Sequence, residues 1–215
     1  MNFLAVNTAG ESVEVALKIG DEIYSAFDPE YKKASEILLP LIDDVLQKAG
    51  ADISCVDYFA CCIGPGSFTG IRIGLSTVRA FCQSLNKPAL AVTNTLVLSY
   101  NGVGAGCGNA VSLSDAGNGY KYVAVYGGDG NVILEPKCIE TAGVKDFLAG
   151  LKSPYTVCCD SLSAYLAPEA VVHKVGGNAL VRAVLHEEKR VGTREYNSLE
   201  PLYVRKSQAE SLLGE

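Results

Sequence analysis

The stretch Gly64-Pro65-Gly66-Ser67-Phe68-Thr69-Gly70-Ile71-Arg72-Ile73-Gly74 constrains the fold more than any other part of the chain. It leaves the apolar run Tyr58-Phe59-Ala60-Cys61-Cys62-Ile63, which reads as a buried strand. It opens into 71–85, where apolar residues recur at Ile71, Leu75, Val78, Cys82 and Leu85. A strand, a tight turn and a helix must meet here. Gly64, Pro65 and Gly66 suit the turn, and Ser67 or Thr69 can cap the helix by accepting a backbone N–H. Two uses of the joint stay open. Free N–H groups at a helix start favour an anion, which makes Gly64, Gly66, Ser67 and Thr69 candidate phosphate-binding residues. Their spacing is neither that of a Walker A loop nor the dinucleotide fingerprint. Alternatively, Gly70 and Gly74, on one helix face, let a second backbone come close.

Upstream, apolar residues at 3–6, the alternation of Val13, Val15 and Leu17 with polar neighbours, and 22–27 predict an antiparallel three-stranded meander. A helix is predicted over 35–49, with Leu38, Leu41, Ile42, Val45 and Leu46 on one stripe, Ser35 as its cap and Gly50 as its stop. Pro40 should remove one backbone bond or bend it. Ile37 and Leu39 widen the stripe, which fits either contact on two sides or a deeply buried helix.

Strand 89–93 and a short helix at 95–100 follow the joint, and then the glycine-rich run 102–108 breaks all periodicity. A domain boundary is placed there, between lobes at 1–101 and 109–215. Beyond it the opening recurs: strand 110–113, turn 115–119, strand 120–126, turn 127–130 and strand 132–138, then helix 144–151, strand 155–159 and helix 178–188. Shifted by about 107 residues, Thr8-Ala9-Gly10 lies over Asp115-Ala116-Gly117. The order predicts two duplicated α/β lobes, each a mixed sheet with a three-stranded meander and flanking helices.

Charge and cysteine usage bound the function. With 18 basic against 24 acidic residues and a net charge of -6, the chain does not hold nucleic acid by its own field. Cys61-Cys62 and Cys158-Cys159 are adjacent pairs in apolar runs, unlike zinc or redox spacings. They are expected to be reduced and buried in a cytoplasmic protein. No secretion signal is visible, and no apolar run approaches the roughly 18 residues that cross a bilayer. His173 and His186 are read as solvated or turn histidines, with no metal site.

The glycine stretch also resembles the signature of the TsaB family, partners of TsaD in making N6-threonylcarbamoyladenosine beside the anticodon of certain tRNAs. The resemblance covers 1 to about 100 and returns at Leu202-Tyr203-Val204-Arg205, expected as a docked terminal strand. It implies an actin-like (ribonuclease H-like) fold. In several places the chain departs from the family pattern. Asn7-Thr8-Ala9 stands for Asp-Thr-Ser, where the wider actin-like group places a metal-holding carboxylate. Ala34-Ser35-Glu36 stands for His-Ser-Glu, and Asp115-Ala116-Gly117 for Asp-Ala-Arg.

The resemblance implies no catalytic residue, metal or cofactor in the chain itself, with any ATP and Mg²⁺ supplied mainly by partners. TsaD and the ATPase TsaE are the implied partners, with a homodimer in isolation and tRNA reached only indirectly. The expected interface is Leu38, Leu41, Ile42 and Val45 on the first helix and Gly70, Ile71, Gly74 and Val78 on the second, with Arg72 and Arg79 either ringing it, meeting an acidic partner or nucleotide phosphate, or forming a solvated face. A bulky residue at Gly70 or Gly74 is expected to disrupt association and leave the monomer folded. The alternative is an ATP-binding or ATP-hydrolysing enzyme of the actin-like group using 64–69 and the backbone near Asn7.

Overall fold

The computed structural model describes residues 1–28, 33–102, 108–151, 154–176 and 178–205. The first half builds a sheet from β1 (Phe3–Asn7), β2 (Glu14–Ile19), β3 (Glu22–Phe27), β4 (Tyr58–Cys62) and β5 (Ala89–Val92), in the order β3-β2-β1-β4-β5. The second half builds another from β6 (Asn109–Gly117), β7 (Tyr120–Tyr126), β8 (Val132–Glu140), β9 (Tyr155–Cys159) and β10 (Val171–Val172), in the order β10-β9-β6-β7-β8. Read from the other edge, the second order repeats the first. In each sheet the first three strands are antiparallel neighbours and the last two join in parallel. The chain is thus two duplicated mixed sheets with flanking helices, a two-lobe α/β fold.

β1 and β4 are buried at every position, which requires cover on both faces of their sheet. Helices α1 (Ala34–Ala49) and α2 (Phe68–Leu85) touch one another and pack on β1–β5, and α5 (Ala179–Val191) packs on β1, β2 and β5. In the second sheet, α3 (Asn94–Ser99) lies on β6, β7 and β9. A smaller core of Leu113, Val123, Val144 and Cys159 gathers around α4 (Val144–Ala149).

Two of these helices are exchanged. α3 precedes residues 102–108 yet covers the second sheet, and α5 follows them yet covers the first; the two also pack on each other. Residues 103–107 of the glycine-rich run lie outside the described residues. The main core therefore mixes side chains from both halves, such as Leu90 and Val92 with Leu180 and Val184.

Several local expectations are corrected. Ser35 does not cap α1; Lys33 occupies the cap position without a side-chain bond, so Ser35 falls in the first turn. Gly50 does stop the helix, in the left-handed conformation. The stretch Asp115-Ala116-Gly117 is strand with an irregular register rather than turn. The actual turn is Asn118-Gly119, both at positive φ, as a two-residue hairpin loop requires. The tail docks without forming a strand, through Leu202 N–H to the Ile63 carbonyl at 2.8 Å and the Tyr203 hydroxyl accepting from Arg72 Nε at 3.0 Å. Among the described residues, no helix is long and apolar enough to cross a membrane.

Candidate functional site

The carboxyl ends of the central strands of both sheets open on a cleft of about 780 Å³ between the halves. One wall is the glycine stretch. Ser67 caps α2, its Oγ accepting from Gly70 N–H at 3.1 Å. The Ser67 N–H itself donates to the Ala9 carbonyl at 3.0 Å. A Cβ at Gly66 would lie 1.9 Å from that same carbonyl oxygen, one at Gly70 2.0 Å from the Thr8 carbonyl, and one at Gly74 2.4 Å from Thr8 Oγ1. The Thr8 hydroxyl closes the joint by donating to the Gly70 carbonyl at 2.7 Å. Missing side chains thus admit the chain's own β1–β2 turn.

This placement corrects the expected interface. Gly70, Ile71, Gly74 and Val78 of α2 and Leu38, Leu41, Ile42 and Val45 of α1 are all buried within the chain's own core. Their burial needs no partner, because the sheet and the β1–β2 turn already cover them. The outward residues of these helices include Leu39, which is 56% exposed, Pro40, Arg72 and Ala80. Arg79 is no rim residue either; its guanidinium donates to the Leu199 carbonyl. Of the phosphate-loop candidates, Gly66 and Ser67 line the cleft, while Gly64 packs on Leu202 and Ile71, and Thr69 is exposed on α2.

At the floor of the cleft, Asn7 has both ends of its amide engaged. Its Oδ1 accepts from Ala9 N–H at 3.1 Å, and its Nδ2 donates to Glu14 at 3.4 Å and to Asn94 at 3.2 Å. Glu14 is buried and reaches across to the second half, where its Oε1 meets His173 Nε2 at 2.9 Å and Gly176 N–H at 3.0 Å. The other nitrogen of His173 faces Asn101 Nδ2 at 2.9 Å. If Asn101 donates, His173 can be neutral and still donate to Glu14. His173 is therefore a bridge between the sheets, not a solvated histidine, and His186 is partly buried beside Tyr100. Glu11 adds a second bridge, accepting from the amide and hydroxyl of Ser161.

The opposite wall comes from the ends of β6 and β9. Asp160 Oδ2 accepts from Asp115 N–H at 2.7 Å, and the Ser163 hydroxyl also bears on the carboxyl, while Ser114 Oγ is sealed in the wall. Burial pushes the Asp160 carboxyl above its ordinary 3.8, against the lowering influence of Ser163 and the Asp115 amide. Asp115 pairs with buried Lys121 at 2.7 Å. Arg205 crosses from the tail to donate to the Ala116 and Gly117 carbonyls at 3.2 and 3.1 Å. A guanidinium thus stands at the turn where the family pattern carries its arginine. Burial pushes the Cys62 and Cys159 thiols up to about 12 and about 11. They are packing groups rather than nucleophiles. Cys55, Cys61, Cys62, Cys82, Cys138 and Cys159 form no disulfide. No group of three or more metal-ligating side chains occurs among the described residues.

Sequence reasoning missed Glu14, His173, Ser114 and Asp160. Glu14 looked like the polar face of an alternating strand. Asp160 did carry a signal, because it ends an apolar parallel strand, where α/β sheets place ligand-facing groups.

Fold and cleft first define a class: a two-lobed α/β protein of the actin-like, ribonuclease H-like kind, with duplicated sheets facing across a ligand-sized cleft. Residues 29–154 match the family described as TsaD: tRNA N6-adenosine threonylcarbamoyltransferase. This is more than half of the chain, and the chain belongs to that family.

Within it, the chain is 28% identical over 134 residues to the tRNA threonylcarbamoyladenosine biosynthesis protein TsaB of Escherichia coli, covering 62% of this chain and 58% of that one. It is 23% identical over 202 residues to the protein of the same name from Bacillus subtilis, covering 94% and 84%. The E. coli and Haemophilus influenzae matches span about half of those relatives' length, 58% and 42%. A solved Pseudomonas aeruginosa structure, described as an uncharacterized protein with similarity to peptidase YeaZ, superposes with a TM-score of 0.76 at 22% identity. It covers 95% of this chain and 99% of that one, a likeness of fold.

Proposed function

We propose that the chain is a non-catalytic partner of a TsaD-type enzyme, supporting transfer of threonylcarbamoyl to the tRNA adenosine beside the anticodon in the cytoplasm. The observation that carries this reading is the closed state of the first-lobe wall. The Asn7 amide is engaged at both ends by Ala9, Glu14 and Asn94, and the Ser67 N–H is engaged by Ala9, so the polar groups of this wall already bind one another. A neutral amide is also a poor ligand for a hard cation. ATP and Mg²⁺ enter through the partners, among them a TsaE-type ATPase. The net charge of -6 fits contact with tRNA through a more basic subunit. Docking uses the outward faces of α1 and α2, where Leu39 is exposed, and the same faces pair two copies when the chain is alone.

The test is light scattering of the purified chain alone and mixed with the tRNA N6-adenosine threonylcarbamoyltransferase of the same source, alongside modification of a tRNA transcript. A mixed complex and a rise in modified adenosine on adding this chain are expected. A folded transferase that neither binds the chain nor responds to it overturns the reading.

A further inference from the structure

We propose that residues 199–205 form a strap that sets the opening of the cleft, anchored at one end on α2 and at the other on the β6–β7 hairpin. The strap begins where the Arg79 guanidinium holds the Leu199 carbonyl. It then lies along the first lobe, with Leu202 N–H donating to the Ile63 carbonyl at 2.8 Å. Gly64 gives it room, since a Cβ there would lie 2.8 Å from the Leu202 carbonyl oxygen.

Tyr203 is the first anchor. Its ring stacks on Phe68 with centroids 4.7 Å apart, and its hydroxyl accepts from Arg72 Nε at 3.0 Å. Two residues on, Arg205 is the second anchor, on the other lobe. Its guanidinium donates to the Ala116 and Gly117 carbonyls at 3.2 and 3.1 Å and lies 4.1 Å from the centre of the Tyr120 ring. Phe68 and Arg205 both line the cleft, so the strap crosses at its edge.

The length of the strap makes it a restraint. Two residues of extended chain span at most about 7 Å, so the start of α2 and the hairpin cannot part far while both anchors hold. Two polar links also cross the cleft. Ser161 N–H donates to Glu11, and Gly176 N–H donates to Glu14 at 3.0 Å. An N–H···O bond stretched past about 3.5 Å is lost, so these amides register any separation of the lobes. Arg72 is exposed and Tyr203 is 39% exposed, which puts the first anchor within reach of a molecule seated on the outward face of α2. Docking there would act on the cleft through the strap; this last step rests on the docking face proposed above, and the strap itself does not.

The test is residue-resolved amide hydrogen exchange of the purified full chain by NMR, for the parent, Tyr203→Ala, Arg205→Ala and the double variant, with Ser161 and Gly176 as reporters. A strap works only with both ends held. Each single variant should therefore speed exchange at both reporters about tenfold, and the double variant little further. Tyr203→Phe keeps the ring on Phe68 and gives up only the bond from Arg72, so it should give a smaller rise. Unchanged exchange at the reporters in any folded variant, effects that multiply in the double variant, or an equal rise at the amides of β1 and β4 overturns the proposal. No partner protein enters the measurement, so a failure of the docking reading would leave this result standing.

Discussion

The two lobes carry the same pieces at their cleft-facing ends, a turn after the first strand and a loop after the fourth, but commit them differently. In the first lobe the loop at Gly64–Ser67 is seated on the turn. The Ser67 N–H binds the Ala9 carbonyl, and the Thr8 hydroxyl binds Gly70. In the second lobe the loop beginning at Asp160 meets the end of β6 through side chain and strand backbone instead, the Asp160 carboxylate accepting from the Asp115 N–H and the Asp160 N–H donating to the Leu113 carbonyl. Glycine accounts for the difference. Only residues without a Cβ let a loop approach a turn until backbone meets backbone, and two and four residues past the end of the fourth strand, where the first lobe has Gly64 and Gly66, the second lobe has Ser161 and Ser163. A duplicated fold can therefore close one cleft wall by glycine packing and the other by side chains.

The largest expected effect tests the glycine wall. A Cβ at Gly70 would lie 2.0 Å from the Thr8 carbonyl oxygen, and backbone cannot yield as a flexible side chain can. Gly70→Ala should lose about 3 kcal/mol or more of stability. The loss would appear in denaturant unfolding of the monomer rather than in association alone. Gly117→Ala is the contrast from the second lobe, where φ is +70° and nothing lies within 4 Å of the added carbon. Its cost should be about 1 kcal/mol, from backbone conformation only. Equal costs at the two sites would mean that the first-lobe joint is no tighter than the second.

What the sequence made legible follows the same division. The strand–turn–helix joint, the meander and its repetition were readable because they rest on local periodicity and on glycine, proline and cap residues. The Ser67 cap and the Gly50 stop are of this kind. The exchange of α3 and α5 between sheets was not readable, since an apolar helix face does not specify which sheet it covers. For the same reason the inward stripe of α1 and the glycines of α2 read equally well as a docking surface, and burial in the chain's own core decides against that. The bridge from Glu14 to His173 spans 159 residues, and nothing local marks either partner.

That bridge supplies the next effect. Glu14→Ala would leave His173 Nε2, the Gly176 N–H and one bond of the Asn7 amide without an acceptor. A loss of about 2 kcal/mol is expected in denaturant unfolding, since buried donors would be left unpaired. Glu14→Gln, which keeps one acceptor oxygen, should recover part of it. A neutral Glu14→Ala would mean that the lobes are held by helix packing alone, and that the floor of the cleft is not a latch.

The smallest effect concerns the side-chain wall and is a slope rather than a loss. Burial holds the Asp160 carboxyl above its ordinary 3.8, with Glu11 pushing the same way and Lys121 opposing. The native state therefore keeps this proton over a pH range in which the unfolded chain has released it. The stability that the proton contributes is fully present below 3.8 and is lost as pH rises through the raised native value. Asp160→Asn does not titrate. Unfolding followed from about pH 3 to about pH 7 should thus show the variant gaining on the parent as pH rises. A difference that stays flat would mean that Asp160 already has a compensating donor in the native state. One that moves toward the parent would mean a counter-charge stronger than Lys121. Either result would mean that the hydrogen bonds from Ser163 and the Asp115 amide outweigh burial at Asp160, and that the side-chain wall is as well satisfied as the glycine wall.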